Sequence, residues 1–265
     1  MALDLSARAR SFNAAAAQYA ANRPSYPPLL LDTVEELAGR PLKDARVVDV
    51  GAGTGIASKL LHARGARVIA VEPGDGMAEE FRRTNPAIPL VRGDGNHLPL
   101  ATASADFVTY AQAWHWTDRA RSGPEARRVL RPGGALALWW NFSDRSVAWV
   151  AAQDARLWEF FQPGVRAGDG ADALRGGHPR ADVPGLEFTD HRIPHRRTVP
   201  LATHLANLAS HSAFLVLGEE RTREFLAREH DVLSELFPDG QVEECYVVHL
   251  QLAINERGTA EVAAT

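Results

Sequence analysis

The sequence predicts an α/β fold, a parallel sheet with helices on both faces. Three observations predict it. Near-continuous apolar runs alternate with segments of helical spacing from residue 46 to residue 140. Strands buried on both faces read as such unbroken runs. The first run, Val47-Val48-Asp49-Val50, ends in the glycine-rich turn Gly51-Ala52-Gly53-Thr54-Gly55. A turn of this kind, at the carboxyl end of a first parallel strand, is where an open α/β sheet binds its ligand. Glu72 follows Gly51 by 21 residues, at the end of Val68-Ile69-Ala70-Val71. A carboxylate there can accept both hydroxyls of a ribose.

In chain order, residues 4–21 read as a helix around the run Ala14–Ala17, stopped by Arg23-Pro24-Ser25-Tyr26-Pro27-Pro28. A second helix is expected from Leu29 to Ala38, ending at Gly39. Strands are expected at 46–50, 67–71, 88–92, 105–111 and 134–140, and helices at 55–64, 76–84 and 122–130. Right-handed crossovers then bring the ligand-holding strand ends to one edge. After Asn141 the pattern changes. Val147 to Phe161 has helical spacing with one polar exception, Asp154. Residues 163–185 read as a Gly- and Pro-rich mobile loop. Leu186–Ile193 and Cys245–Ala253 are expected strands, Thr203–Leu208 and Glu219–Leu236 expected helices, and the tail after Arg257 is small and polar. No internal repeat is visible.

The glycine spacing narrows the ligand. A dinucleotide fingerprint places glycine at the first, third and sixth positions. Here the sixth position is Ile56, and the pattern is G-x-G-x-G, which argues against a dehydrogenase. Four further segments follow: Glu72-Pro73-Gly74-Asp75-Gly76-Met77, Gly93-Asp94-Gly95-Asn96-His97-Leu98-Pro99, Gln112-Ala113-Trp114-His115-Trp116 and Leu130-Arg131-Pro132-Gly133-Gly134. Together with the glycine turn they resemble the class I S-adenosylmethionine (SAM)-dependent methyltransferases, closely over residues 10–142 and more loosely beyond.

The resemblance implies a Rossmann-like, seven-stranded, mostly parallel sheet whose last strand is antiparallel, with a helical lid before it and a helical insertion after it. One domain over residues 1–265 is expected: a lid (1–40), a SAM-binding core (41–142) and an acceptor-pocket insertion with the final strands (143–265). It implies SAM as cofactor and S-adenosylhomocysteine as product. The backbone of Gly51, Ala52 and Gly53 would contact the cofactor, and Glu72, beside Pro73, would hold the ribose. Met77 would lie on the adenine, with Asp94, Gly95 and Asn96 at its edge. Ala111 and Gln112 would lie along the methionine part. Tyr19 and Arg23 would belong to the lid, with Arg23 able to pair with the SAM carboxylate. Leu130–Gly134 would be the turn before the fifth strand.

Methyl transfer from a sulfonium requires orientation and a dry pocket more than a set of catalytic groups. The candidate catalytic side chain is His115, expected after the fourth strand between Trp114 and Trp116. A neutral imidazole there can act as a general base; it can equally brace the loop while the indoles pack. Candidate acceptor contacts are Tyr26, Trp114, Trp116 and His211, the last standing where the family more often has Trp. Trp149, Trp158, Phe160 and Phe161 suit a flat aromatic acceptor or are core. A small molecule of specialised metabolism, aromatic or heteroaromatic with an indole among the options, is the expected acceptor. A small carboxylic acid and a non-catalytic SAM-binding role are the alternatives.

Composition bounds the partners. The formal charge is −4 over 265 residues, and no basic surplus points to nucleic acid. Only Lys43 and Lys59 are lysines, so 27 of the 29 basic residues are arginine. The run Arg192, His195, Arg196, Arg197 reads as a solvated strand edge. The single Cys245 allows no disulfide within the chain, in keeping with a reducing cytoplasm. No apolar run reaches the ~20 residues of a membrane span. The ten histidines show no metal-ligand spacing, so no metal is expected. A monomer or homodimer is expected.

Overall fold

The computed structural model of the chain describes residues 16–162, 181–215 and 217–256, without the side chains of residues 17–19 and 212. The expectations for the first 15 residues, for loop residues 163–180 and for the tail from Arg257 lie outside the described residues. Seven strands form one sheet: β1 (Arg46–Val50), β2 (Arg67–Glu72), β3 (Leu90–Arg92), β4 (Ala105–Ala111), β5 (Leu130–Ser143), β6 (Thr189–Pro200) and β7 (Gln241–Ile254), in the order β3-β2-β1-β4-β5-β7-β6. β1 to β5 are parallel. β7 runs against β5, since Gly133 N–H donates to Asn255 O and Asn255 N–H to Gly134 O, both at 2.8 Å. The last strand is thus antiparallel, as the resemblance implies.

The helices are α1 (Ala16–Asn22), α2 (Pro28–Ala38), α3 (Ile56–Ala63), α4 (Asp75–Thr84), α5 (Arg119–Val129), α6 (Ala148–Phe161), α7 (Leu201–Ala209), α8 (Ser212–Leu215) and α9 (Glu219–Leu236). Residues Trp114–Trp116 form one 3₁₀ turn. None of the described helices is long and apolar enough to cross a membrane.

Several boundaries differ from the sequence reading, and three of the differences have a visible cause. The expected turn at Leu130–Gly134 lies inside β5. Ala105 pairs with Leu130 and Phe107 with Ala135, so the extra residues bulge out of register, with Gly133 at φ 70°. α5 begins at Arg119, because the Asp118 carboxylate caps it by accepting from Ala120 N–H at 3.1 Å. β6 starts at Thr189 and runs on through Pro194 to Pro200. It is the edge strand, and an edge tolerates a residue that donates no ladder hydrogen bond.

The chain divides into two compact units. Ser25–Asn141, Arg180–Ile193 and Val248–Thr265 make a sheet unit. Its core joins Leu30 and Val34 of α2, Val47 of β1, Leu61 of α3, Phe81 of α4 and Phe107 of β4. Below the strands, the Asp106 carboxylate accepts from Arg46 N–H at 2.7 Å and pairs with Arg131 at 2.7 Å and Arg40 at 3.4 Å.

Met1–Pro24, Phe142–Pro179 and Pro194–Val247 make a helical unit. Its interior is unusually polar. Glu244 of β7, 1 % exposed, lies 2.7 Å from His204 Nδ1, 3.2 Å from Asn207 Nδ2 and 2.5 Å from Arg197 Nε. Arg197 in turn donates to the carbonyls of Asn22 and Arg23 at the end of α1. His204 Nε2 meets the Gln153 amide at 3.0 Å, and Gln153 donates to Glu229, which pairs with Arg156. Burial alone pushes the Glu244 carboxyl up, but its His204 and Arg197 hydrogen bonds outweigh this and hold it at about 2. A carboxyl lowered from its ordinary 4.5 contributes stability that is complete above that value and lost as pH falls through about 2. Glu244→Gln should therefore lower the unfolding free energy by about 3–5 kcal/mol at neutral pH. It should also flatten the loss of stability on acidification that the wild type shows. Urea melts across that range measure both, and equal acid slopes for the two proteins would refute the assignment.

Candidate functional site

The site is built at the carboxyl ends of β1, β2 and β4. The Gly51–Gly55 turn leaves β1 and leads into α3. Its three glycines have positive φ, at 65°, 57° and 92°, and each has a different reason to lack a Cβ. At Gly51 a Cβ would stand 2.6 Å from Ala113 Cβ, so the turn packs directly on the loop after β4. At Gly55 it would strike the Phe81 ring and Asn85, whose side chain donates to Thr54 O at 3.0 Å. At Gly53 a Cβ would meet no atom of the described residues within 4 Å. Among the described residues, Gly53 is the glycine of the turn that faces open space.

Glu72, at the end of β2 and 7 % exposed, holds this turn. Its Oε2 accepts from Gly53 N–H at 2.8 Å and its Oε1 from Gly74 N–H at 2.7 Å. Each oxygen keeps lone-pair capacity for a further donor. Burial pushes the carboxyl up; the Gly74 and Gly53 amides and the nearby Arg92 charge pull it down. Arg92 also donates to the carbonyls of Glu72 and Pro73 and pairs with Asp75. Beneath the turn, Asp49 is fully buried and accepts from Ser58 at 2.5 Å and Thr109 at 2.9 Å. Burial pushes its carboxyl up to about 6. Asp49 thus ties the end of β1 to α3 and β4.

Met77 is buried in the first turns of α4. Asp94 is exposed and accepts from Asn96 N–H at 2.7 Å, and the Asn96 side chain accepts from Asp118 N–H at 2.8 Å. A Cβ at buried Gly95 would touch Thr117 and Tyr110 at 3.0–3.2 Å. Ala111 ends β4, and Gln112 takes a left-handed φ of 59° while donating to Trp139 O at 2.9 Å. A non-glycine residue in that region stores strain of the sort concentrated at functional sites. The sheet unit thus gathers Gly51, Ala52, Gly53, Glu72, Pro73 and Met77 with Asp94, Gly95, Asn96, Ala111 and Gln112 along the carboxyl ends of its strands.

The aromatic candidates separate. Trp114 is fully buried, its ring edge-on to Tyr110 at 4.8 Å. Tyr26 is packed in the core edge-on to Trp139. Trp116 is half-buried with its ring 4.7 Å from His115. His115 Nδ1 accepts from the indole N–H of Trp140 at 3.1 Å. Tyr19 and Arg23 lie in the helical unit; Tyr19 is on α1, and Arg23 donates to Ser210 O at 3.1 Å. His211 is exposed between α7 and α8 of that unit. There too Trp149 packs on His204 and Phe237, Trp158 is buried, and Phe160 and Phe161 cluster with Phe214.

Two residues escaped the sequence reading. Thr54 has a buried hydroxyl without a hydrogen-bond partner, and nothing but its place between two glycines signals it. Trp140 was legible in principle: in Trp139-Trp140 at a strand end, the two-residue period sends one indole to each face of the sheet. Among the described residues no group of three metal-ligating side chains occurs.

Residues 48–138 match the family model for the methyltransferase domain. An uncharacterized methyltransferase of Mycobacterium tuberculosis is 44 % identical over 140 residues, 53 % of this chain and 56 % of the relative. A malonyl-[acyl-carrier protein] O-methyltransferase of Methylococcus capsulatus is 40 % identical over 137 residues, 48 % of this chain and 49 % of the relative. The chain thus spans about half the length of the curated relatives it matches. Among solved structures, a candidate type II methyltransferase of Anaeromyxobacter dehalogenans shares the fold. Its TM-score is 0.59 at 22 % identity, over 88 % of this chain and 98 % of that one. Over residues 48–138 the chain is thus similar to the methyltransferase domain family, and it shares the fold of that solved structure.

The glycine geometry separates two substitutions. Gly51→Ala meets both an unfavourable φ and a clash, and should cost several kcal/mol of stability. Gly53→Ala meets only the φ penalty, about 1–2 kcal/mol, while blocking the open face. Paired urea melts and S-adenosylhomocysteine titrations should show Gly51→Ala losing the more stability and Gly53→Ala a folded protein with weakened binding. A Gly53→Ala protein that binds normally would refute the open-face reading.

Proposed function

We propose that this chain is a SAM-dependent methyltransferase acting on a small molecule. The observation that carries the reading is Glu72, a buried carboxylate fixed by two backbone amides at the end of β2, next to the open face of Gly53. The residues fit the cofactor on their own chemistry. Glu72 has lone pairs left for a ribose diol, Gly53 leaves room for a close approach, and the buried Thr54 hydroxyl awaits a partner.

When bound, the cofactor supplies the activated methyl carbon; the chain supplies orientation and exclusion of water. In this proposal the backbone of Gly51, Ala52 and Gly53 holds the nucleoside and amino-acid parts, and Glu72 orients the ribose with Pro73 beside it. Met77, Asp94, Gly95 and Asn96 bound the adenine, and Ala111 and Gln112 line the methionine part. Trp116 meets the acceptor, and the deep packing of Trp114 and Tyr26 assigns those two to supporting the residues around them.

The acceptor in this reading is a flat aromatic or heteroaromatic molecule of specialised metabolism, an indole among the options. The Phe160, Phe161, Phe214 and Phe225 cluster of the helical unit supports it. A carboxylic-acid acceptor is the second reading, favoured by the relative described as a malonyl-[acyl-carrier protein] O-methyltransferase. The proposal places the enzyme in the cytoplasm as a monomer or homodimer, without nucleic acid, metal or membrane.

Calorimetry with SAM, S-adenosylhomocysteine and NAD tests the cofactor, with binding expected for the first two alone. Labelled-methyl transfer to fractionated metabolites then identifies the acceptor. Charge-assisted hydrogen bonds are worth roughly 1.5–3 kcal/mol, so Glu72→Ala should weaken SAM about ten- to a hundredfold. Glu72→Gln should lose nearly as much, because its amide NH₂ must face the N–H of either Gly53 or Gly74. SAM affinity unchanged in a folded Glu72→Gln protein would rule out this role.

A further inference from the structure

The indole N–H of Trp140 is a donor and nothing else. It points at His115 Nδ1 at 3.1 Å, so that nitrogen must offer a lone pair. A neutral imidazole has one lone-pair nitrogen and one N–H. The proton of His115 therefore sits on Nε2. Trp140 is 3 % exposed and belongs to β5, the long strand beside β4. Its donor is anchored in the sheet. The Trp116 ring lies 4.7 Å from the imidazole centroid, and Ala113, two residues earlier, is packed on Gly51 of the glycine turn. His115 is thus held in one orientation and one tautomer, on a loop pressed against the turn that faces the proposed cofactor.

A general base needs an unprotonated nitrogen aimed at the proton it removes. In His115 the lone pair is already engaged by Trp140. We propose that Trp140 is a positioning residue that fixes His115 as the Nε2–H tautomer, making His115 a hydrogen-bond donor and not the base of the transfer. The inference rests on the methyltransferase reading for its chemical consequence, but not for the tautomer. The consequence concerns the acceptor class. The acceptor's own electron pair forms the new bond to the methyl carbon, the carbon–sulfur pair stays on sulfur, and no proton passes to His115. This selects an acceptor already nucleophilic at neutral pH, such as a carboxylate, over a neutral alcohol that must be deprotonated during attack.

Two measurements test this. Long-range proton–nitrogen correlation spectra of ¹⁵N-histidine-labelled protein, without added cofactor, report the tautomer directly, with His115→Gln supplying the assignment. Protonated Nε2 and bare Nδ1 are expected, and Trp140→Phe should admit the Nδ1–H form. A wild-type Nδ1–H signal, or an unchanged tautomer in folded Trp140→Phe, would overturn the proposal; should that variant not fold, the wild-type spectrum decides alone. The second measurement is single-turnover transfer to the acceptor found by the metabolite screen. His115→Gln keeps an N–H donor and should lose less than about tenfold in rate, with His115→Ala losing more. A loss of the 10²–10⁴-fold size that removal of a general base causes in His115→Gln would overturn it. Because the spectra need no cofactor, a failure of the methyltransferase reading leaves the tautomer result intact and separately readable.

Discussion

A buried carboxylate bridging two backbone amides organises the sheet unit. Glu72 joins Gly53, in the turn after β1, to Gly74, in the loop after β2. An ionised group at 7 % exposure is costly unless its lone pairs are met. Here two backbone donors meet it, and backbone donors cannot swing away as side chains do. The turn is thereby shaped before any ligand arrives. Removing rotational freedom in advance is what preorganisation means for binding. Asp49, which ties β1 to Ser58 of α3 and Thr109 of β4, and Ala113, packed on Gly51, add to that support.

The helical unit is organised differently. Its interior holds Gln153, His204, Asn207, Glu229 and Glu244, each at most 5 % exposed. Such a network gives up hydrophobic stabilisation but fixes geometry, because each member has few alternative partners. It links α6, α7, α9 and the strands β6 and β7, and through Arg197 it caps the carbonyl end of α1. The guanidinium also lies where a helix dipole favours positive charge.

The fold was legible because its strands are buried on both faces and its turns carry glycine where φ is positive. Residues 46–50 and 105–111 and the helices around them needed no tertiary information. Of the boundaries that moved, two did so through contacts between distant residues. Asp118 starting α5 was a local signal passed over, but the bulge in β5 depends on the register with β4. The extension of β6 past Pro194 depends on its place at the edge. For the site, Gly51, Gly53 and Glu72 stood out by spacing alone. The division of the aromatic residues did not, since a Trp in a core and a Trp in a pocket have the same local sequence. The partnership of His115 with Trp140 joins residues 25 apart, and only the pairing of β4 with β5 makes them neighbours.

The edge strand β6 has a consequence for how copies of this chain meet. An exposed edge is a template onto which a strand of another molecule can add, the first step toward aggregation. In β6, exposed Asp190, Arg192 and Arg196 place charges along it. Arg196 is tied to Glu243 at 3.0 Å, and an incoming strand would have to accommodate that ion pair. Charges in these positions oppose the addition of a further strand on this side of the sheet.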